Sequence, residues 1–256
     1  MAKPLRRVYC GCNVRRSFEN SSSKNPRSAS AVEGERVRNQ SPIKTLFLDI
    51  GGVLLSDGWD HHARRRAARY FKLEWAEMED RHKLNFATYE EGKLTVDVYL
   101  DRVVFHEKRP FTRAQFRRFM FAQSVPLPGM IQLATQLKIQ HRLKLVVVSN
   151  EARELNAYRI HHFKLDALVD VFVSSCFVGI RKPDADIFRL ALDLAQTPAS
   201  QIVYIENSPL FVQIAEGKGI RSILHTDYRS TCAKLAVFGL QNGEAVAPES
   251  SRPAGR

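Results

Sequence analysis

Short apolar runs alternate with segments of helical periodicity along most of the chain from residue 43 onward. Short runs rich in β-branched residues predict buried strands, and longer amphipathic segments predict helices. The predicted strands are residues 43–50, 143–149, 171–174, 202–205 and 221–224. The helices predicted beside them are residues 130–141, 152–163, 185–195, 210–217 and 229–238. This alternation predicts an α/β fold with a doubly wound, mostly parallel Rossmann-like sheet and helices on both faces.

One long segment, residues 58–125, interrupts the alternation. It shows helical periods and no convincing strand. The predicted helices of this segment are residues 59–73, 74–91, 95–104 and 112–123. Thr112 is placed to cap the last of them, and Pro126 and Pro128 close the segment. We therefore predict a helical-bundle cap at residues 58–125, inserted into an α/β core made of residues 43–57 and 126–240.

The two ends of the chain differ from the rest in composition. Residues 1–42 contain nine Lys or Arg and three Glu, so they carry half of the net charge of +12. Their richness in Ser, Asn and Arg and their lack of any period predict a disordered basic tail. Residues 241–256 are predicted to be a flexible C-terminal tail. Because half of the excess charge lies in a tail, we expect no nucleic-acid partner.

Composition also limits the compartment. No apolar stretch approaches the roughly 20 residues that cross a bilayer, so we expect no membrane partner. The four cysteines are too few and too scattered for a disulfide framework, and Cys10 and Cys12 lack the second pair of a zinc site. These features favour the cytoplasm, or an organelle if the Arg- and Ser-rich tail is a transit peptide.

Polar residues stand at the C-terminal ends of the predicted strands. Asp49, Ser149 and Glu206 each end a strand, and Lys182 lies on the loop after another. These ends form the ligand-binding edge of a parallel sheet, so the four side chains should converge. They provide what phosphoryl transfer through an aspartyl-phosphate requires. Asp49 attacks phosphorus, Lys182 and Ser149 hold the phosphoryl oxygens, and Asp49 with Glu206 holds Mg²⁺.

Four motifs contain these residues, in the order FLDIGGVL (47–54), VVSN (147–150), RKPD (181–184) and VYIEN (203–207). In order and spacing they resemble the haloacid dehalogenase-like (HAD) hydrolase superfamily, subfamily I with a helical C1-type cap. The resemblance covers about residues 43–240. It implies that Asp49 is the nucleophile, that Lys182 is an electrostatic anchor, and that Ser149 and Asn150 bind substrate.

The same resemblance implies a Mg²⁺ site. Its ligands would be Asp49, the backbone carbonyl of Gly51, Glu206 and Asn207. The chain departs from the family pattern at two of these positions. Family phosphatases usually have a second Asp where Gly51 stands, and often an Asp where Asn207 stands. The amide keeps an oxygen but removes one negative charge, which should weaken Mg²⁺ binding.

The glycine at position 51 removes the usual proton donor for the leaving group. General acid catalysis of this kind contributes roughly 10²- to 10⁴-fold. Either the leaving group departs unaided, or another group supplies the proton. The candidates just beyond the first motif are Asp57, Asp60, His61 and His62. We expect the two histidines to lie exposed at a helix start.

Aromatic and basic residues of the predicted cap have ordinary interpretations. We expect Trp59 to anchor the cap, and most of the arginines to lie on a solvated surface, with one or two facing the cleft. The basic runs are Arg64, Arg65, Arg66, Arg69 and Lys72, and Arg113, Arg117 and Arg118.

The leading functional hypothesis is a Mg²⁺-dependent phosphatase whose partner is a small phosphorylated metabolite, with the cap closing over the substrate. A 2-haloacid dehalogenase-like hydrolase is the first alternative, since that chemistry needs neither an acid at position 51 nor a metal. The second alternative is a catalytically impaired binding protein that keeps the HAD fold, which Gly51 and Asn207 favour.

Overall fold

The computed structural model describes residues 41–241 of the 256-residue chain, and at its centre lies one parallel five-stranded sheet. The strands are β1 (Thr45–Leu48), β2 (Lys144–Ser149), β3 (Val171–Ser174), β4 (Ile202–Glu206) and β5 (Arg221–Leu224). Their order across the sheet is β3-β2-β1-β4-β5, so β1 is central. In the register, Leu48 lies opposite Val147 of β2 and Ile205 of β4, which brings the C-terminal ends of these three strands to one level.

Six helices follow the strands or connect them. They are α5 (Pro128–His141), α6 (Arg153–His162), α7 (Ser175–Val178), α8 (Asp186–Ala195), α9 (Pro209–Glu216) and α10 (Tyr228–Val237). Short 3₁₀ turns at Leu165–Ala167 and Ala199–Gln201 precede β3 and β4. All of the predicted strands and core helices are present, with ends that differ by a few residues. The short helix α7 has no counterpart among the predicted helices.

Helices cover both faces of the sheet. Neighbouring residues of a strand point to opposite faces. Leu48 of β1 packs in one buried cluster with Leu133 of α5 and residues of α10. Phe47 packs in another cluster with Phe188 of α8 and residues of α9. The predicted doubly wound α/β fold is therefore confirmed.

Four further helices lie between β1 and α5, where the sequence pattern placed them. They are α1 (His61–Tyr70), α2 (Trp75–Glu90), α3 (Val96–Val103) and α4 (Arg113–Phe121). They share an apolar cluster that contains Trp59, Tyr99 and Phe116. Thr112 caps α4 in a capping box with Gln115. We call residues 58–125 the cap segment; its division from the core as a separate domain stays a prediction.

Helix α1 begins two residues later than its periodicity predicts. The side chain of Asp60 accepts a hydrogen bond of 2.6 Å from the backbone N–H of Ala63 and so caps the helix. Trp59 therefore precedes the helix, and its buried ring packs edge-on against Phe116 at 5.8 Å between centroids. This position agrees with the expected anchoring role of Trp59.

The predicted disordered tails, residues 1–42 and 241–256, lie outside the described residues except at their inner ends. The same holds for the transit-peptide interpretation and for Cys10 and Cys12. Within residues 41–241, no helix is both long and apolar enough to cross a membrane. Cys176 and Cys232, the two cysteines in that range, are free thiols.

Candidate active site

Three strands and one loop bring the predicted site residues to one edge of the sheet. Asp49 directly follows β1, and its backbone N–H donates to the carbonyl of Ile205 at 3.1 Å. Ser149 ends β2 and Glu206 ends β4. Lys182 lies on the loop between α7 and α8. The structure therefore places all four side chains at the C-terminal edge, where parallel sheets bind ligands.

Lys182 is the central cation of this edge. Its side chain is almost completely buried, and Nζ lies 3.2 Å from Asp49 Oδ1 and 2.6 Å from Glu206 Oε2. Nζ also donates to the hydroxyl of Tyr204 at 3.0 Å. Desolvation lowers the pKa of Lys182, but the attraction of Asp49 and Glu206 together outweighs it and raises the pKa above its usual value. Lys182 is therefore a fixed ammonium ion between two carboxylates.

Both oxygens of Glu206 are occupied in this arrangement. Oε2 accepts from Lys182 and from the Tyr204 hydroxyl, and Oε1 accepts from the backbone N–H of Ser208 at 2.9 Å. Burial is the largest cause that raises the pKa of Glu206, and repulsion from Asp49 adds to it. These contacts favour a role for Glu206 in holding Lys182, and its role as a metal ligand stays a prediction.

Ser149 ends β2, the strand that pairs with β1, and Asn150 directly follows it. The Ser149 hydroxyl accepts from the backbone N–H of Ile50 at 3.4 Å and donates to Glu151 Oε1 at 3.2 Å. Asn150 forms two hydrogen bonds of 2.8 Å with the backbone of Lys182, one as donor and one as acceptor. Asn150 therefore fixes the loop that presents the lysine; it also lines the cavity described below, and its contact with substrate stays a prediction.

A buried ion pair that sequence reasoning missed supports Ser149. Glu151 and Arg159 are both almost inaccessible, and Arg159 donates to Glu151 Oε1 at 2.6 Å and also to the carbonyl of Ser56. Burial raises the pKa of Glu151, although Arg159 lowers it. Glu151 stands two positions after Ser149 and could have been noticed from the sequence. Its pairing with Arg159 on α6 depends on the fold and could not.

The two glycines after Asp49 allow a close approach between distant parts of the chain. Gly52 has a φ of +68°, and a Cβ there would lie 1.9 Å from Nδ2 of Asn207. Nδ2 of Asn207 donates to Oδ1 of Asp57 at 3.2 Å. A Cβ on Gly51 would in turn lie 3.4 Å from the same Asp57 oxygen. A carboxylate from Asp57 thus stands beside the position where the usual second Asp is missing.

Substituting Gly52 by Ala tests this close approach. We expect Gly52→Ala to destabilise the fold by about 1–3 kcal/mol, since it combines a left-handed φ with a displaced Asn207. Gly239→Ala is a matched control, because Gly239 has a φ of +76° with no atom within 4 Å of its would-be Cβ. Urea denaturation should show a larger loss in the free energy of unfolding for Gly52→Ala than for Gly239→Ala. Equal losses would contradict the steric argument.

The oxygen atoms around Asp49 fit a hard divalent cation. Oδ1 of Asp49 is buried and accepts no hydrogen bond from residues 41–241, although Lys182 pairs with it electrostatically. The amide nitrogen of Asn207 faces Asp57, which leaves the amide oxygen available as a ligand. Within the described range, no three His, Cys, Asp or Glu side chains form a metal cluster. Asp49 and Asn207 are thus residues that would hold Mg²⁺, with water completing its shell, and the Gly51 carbonyl and Glu206 stay predicted ligands from the family resemblance.

A cavity of about 560 Å³ lies at this edge, between the strand ends and the cap segment. Asp49, Ser149, Lys182 and Asn207 line it from the core. The cap segment contributes, among others, Trp59, Arg64, His82, Phe86 and Glu90. The cavity therefore has the polar strand ends on one side and a mixed aromatic and charged wall on the other.

Some of the predicted proton donors and one of the arginines in the basic runs of the cap segment line this cavity. Asp57 and Asp60 line it, whereas His61 and His62 are exposed at the start of α1, as expected. Of the basic runs in the cap segment, Arg64 alone lines the cavity. Arg113, by contrast, pairs with Asp101 on the surface. The expectation that most of these arginines do not face the cleft agrees with this arrangement.

Glu90 at the end of α2 gives a prediction about pH. Burial raises its pKa to about 7, against the opposing attraction of Arg181, whose Nε donates to it at 3.0 Å. The folded state therefore binds more protons than the unfolded state, so stability should fall as pH rises from about 4.5 to about 7. The free energy of unfolding should decrease by roughly 3 kcal/mol over this pH range. Urea denaturation at pH 5 and pH 8 should show a smaller change in the free energy of unfolding for Glu90→Gln than for the wild-type protein.

Its neighbour Glu91 provides the control. Glu91 pairs with Lys93 at the surface, so Glu91→Gln should keep the pH slope of the wild-type protein. If Glu90→Gln had the same slope as the wild type, Glu90 would not be the group responsible.

With this geometry established, comparison with known proteins identifies the family. The family model of the haloacid dehalogenase-like hydrolases matches residues 43–210, about two thirds of the chain. The chain belongs to the haloacid dehalogenase-like hydrolase family. All four motifs fall within the matched residues, and the predicted family is confirmed.

Two curated relatives cover parts of this HAD-family chain. Bifunctional epoxide hydrolase 2 of Rattus norvegicus is 28% identical over 144 residues, which are 54% of this chain and 26% of that protein. Sesquiterpene phosphatase astK of Aspergillus oryzae is 26% identical over 110 residues, 43% of this chain and 56% of that protein. The chain thus spans less than two thirds of the length of either relative.

Solved structures of HAD proteins share the fold. A HAD family enzyme of Bacteroides thetaiotaomicron, in complex with magnesium and inorganic phosphate, has a TM-score of 0.59 at 19% identity. The match covers 71% of this chain and 93% of that one. L-2-haloacid dehalogenase of Xanthobacter autotrophicus has a TM-score of 0.52 at 14% identity, covering 83% and 95%. At these identities the similarity establishes the fold alone.

Proposed function

We propose that this HAD-family hydrolase is a Mg²⁺-dependent phosphatase that acts on a small phosphorylated metabolite through an aspartyl-phosphate on Asp49. The observation that carries the proposal is the position of Asp49 at the cavity, with its Oδ1 paired at 3.2 Å with the buried ammonium ion of Lys182. A carboxylate held in this way can attack phosphorus while Lys182 stabilises the charge on the phosphoryl oxygens.

The charge balance of the site supports a divalent cation. Asp49 interacts with three other carboxylates, and two buried cations compensate this group of four. The carboxylates are Asp49, Asp57, Glu151 and Glu206, and the cations are Lys182 and Arg159. A phosphate dianion would meet a net negative charge unless a divalent cation were bound. Mg²⁺ would supply that positive charge and polarise the phosphoryl group.

The reaction has two steps. In the first, an oxygen of Asp49 forms a bond to phosphorus and the bond from phosphorus to the leaving oxygen breaks, so the leaving oxygen requires a proton. In the second, water attacks the phosphoryl group, loses a proton, and restores the Asp49 carboxylate with release of phosphate. Asp57 is the residue that we assign to both proton transfers, because its carboxylate stands beside the position where Gly51 has no side chain.

The environment of Asp57 suits this role. Burial raises its pKa, the hydrogen bond from Asn207 opposes the rise, and repulsion from Asp49 adds to it. Asp57 is an exposed residue, and its raised pKa makes the protonated form more accessible than it is for an aspartate with the ordinary pKa. A protonated carboxyl in this place can give its proton to a departing alkoxide.

Substitution of Asp57 tests the assignment. We expect Asp57→Asn to lower kcat for alkyl phosphates by roughly 10²-fold, and for p-nitrophenyl phosphate much less, because nitrophenolate departs without a proton. Asp60→Asn is the matched comparison, since Asp60 also lines the cavity and Asn caps a helix equally well. The ratio of alkyl to aryl rates should fall only for Asp57→Asn. A ratio that stayed constant would exclude Asp57 as the proton donor.

The proposed function itself is tested by assaying p-nitrophenyl phosphate and a panel of metabolite phosphates, with Mg²⁺ and with EDTA. Turnover that requires Mg²⁺ and Asp49 supports the phosphatase. Release of chloride from 2-chloropropionate without Mg²⁺, and no phosphate release, would support the dehalogenase alternative instead. A folded protein that turns over neither class would favour the catalytically impaired binding protein.

A further inference from the structure

One face of α2 forms part of the wall of the cavity that Asp49 also lines. His82, Phe86 and Glu90 recur every four residues, so they lie on the same side of the helix, and all three line the cavity. Trp59 and, from the core, Phe211 add aromatic surface to the same cavity. The part of a substrate that extends away from Asp49 would contact this wall.

A chain of buried hydrogen bonds fixes the protonation of His82. The indole N–H of Trp59 can only donate, and it donates to the hydroxyl of Tyr99 at 2.9 Å. The same hydroxyl lies 2.9 Å from Nδ1 of His82. Tyr99 is completely buried, so its one hydrogen needs an acceptor, and Nδ1 of His82 is the acceptor within reach. The ring proton of His82 is thereby assigned to Nε2.

His82 is consequently a neutral donor. Desolvation and the nearby charge of Arg64 lower its pKa to about 3, so the ring stays uncharged at neutral pH. Within residues 41–241, Nε2 has no hydrogen-bond partner, and His82 forms part of the cavity wall. The Nε2–H group is therefore available to a ligand in the cavity.

The two guanidinium groups of this wall are each held by a glutamate. Arg64 donates two hydrogen bonds of 2.8 Å to Glu79, and Arg181 pairs with Glu90 at 2.9 Å. Both pairs are largely shielded from solvent. The Arg64–Glu79 pair is ionised at neutral pH, and the Arg181–Glu90 pair above about pH 7, where Glu90 has lost its proton, so above that pH neither arginine is free to bind a second anionic group of a substrate. Lys83, the remaining cation here, pairs with Asp80 in a largely exposed position.

We propose that the leaving group of the substrate is an uncharged alcohol or phenol with an acceptor oxygen, which packs against Phe86 and Phe211 and accepts a hydrogen bond from Nε2 of His82. This inference rests on the proposed phosphatase function. It makes His82 a residue that determines specificity, with Tyr99 and Trp59 as positioning residues. A second phosphate or a carboxylate on the leaving group would be disfavoured, because the wall offers it no free guanidinium.

Three phenyl phosphates that differ only in the para substituent test the proposal. The carbamoyl compound is neutral and has an acceptor, the carboxylate is its anionic counterpart, and the isopropyl compound has a similar size without an acceptor. For the wild type we expect kcat/KM for the carbamoyl compound to exceed that for the carboxylate at least tenfold. His82→Phe should lower kcat/KM about tenfold for the carbamoyl compound and less than threefold for the isopropyl compound.

Comparing the same substrate in two enzymes cancels the difference in leaving-group reactivity. Glu79→Gln supplies an independent variant, because it frees the charge of Arg64 while its amide oxygen still accepts one hydrogen bond. It should raise the rate for the carboxylate relative to the carbamoyl compound several-fold.

Nitrogen-15 NMR of labelled histidine, assigned with His82→Phe, should show the Nε2–H form of His82 and no titration between pH 5.5 and 8.

The outcomes separate this inference from the function on which it rests. Turnover with a preference for the carboxylate, an equal effect of His82→Phe on all three compounds, or an Nδ1–H form of His82 would overturn the inference and leave the phosphatase function in place. No turnover of any of the three compounds by the wild-type protein would overturn the proposed function, and the substrate class with it.

Discussion

Replacing Asp49 by Asn is expected to reduce turnover by at least about 10⁴-fold, because the amide cannot form the aspartyl-phosphate. The change also removes the carboxylate oxygen that would bind Mg²⁺. The fold should survive, since Lys182 keeps its contacts of 2.6 Å with Glu206 and 3.0 Å with Tyr204. Removing one of several mutually repelling carboxylates offsets the lost pairing with Lys182, so the thermal midpoint should change by no more than a few degrees.

The measurement is steady-state release of phosphate from p-nitrophenyl phosphate in the presence of Mg²⁺, with circular dichroism to confirm folding. Asp227→Asn is the control, because Asp227 caps α10, is exposed, and does not line the cavity. Asn is as good a cap as Asp, so this variant should retain wild-type activity. Residual activity of Asp49→Asn above about one hundredth of the wild type would exclude Asp49 as the nucleophile.

The parts of the site that could be predicted from sequence are those that follow from strand ends. Apolar runs ending at Asp49, Ser149 and Glu206 place these residues at one edge of any parallel sheet, whatever the details of packing. Lys182 was found because its loop follows another strand of the same sheet. The strand pattern also determined the fold class, since buried parallel strands produce continuous apolar runs.

What the sequence could not predict depends on contacts between distant residues. The pairing of Asp57 with Asn207 joins residues 150 positions apart. It requires the turn at Gly51 and Gly52, where three successive backbone N–H groups, from residues 53 to 55, lie within 3.4 Å of the Ile50 carbonyl. The helical period of α2 was visible, but which face meets the cavity is decided by the packing of the cap segment. The same is true of the partners of His82.

Replacing Lys182 by Met should abolish activity and also destabilise the protein. The substitution removes the ammonium ion that would stabilise the phosphoryl oxygens, so turnover should fall at least about 10³-fold. It also leaves Asp49 and Glu206 buried side by side without a cation. Removing one partner of a buried ion pair costs about 3–5 kcal/mol, and we expect a loss of that size in urea denaturation. Lys138→Met, which breaks a more exposed pair with Asp170, should cost no more than about 1 kcal/mol.

A double variant separates the two roles of this lysine. In Lys182→Met with Glu206→Gln, the uncompensated charge at position 206 is gone, and the Tyr204 hydroxyl can still donate to the new amide oxygen. The double variant should therefore regain part of the lost stability, because position 206 no longer carries an uncompensated buried charge, whereas Asp49 stays without its cation. Activity should not return, since the phosphoryl group would still lack its cation. If activity returned with stability, Lys182 would act only by holding the fold. If neither returned, the interaction between Lys182 and Asp49 would be the dominant contact of the site.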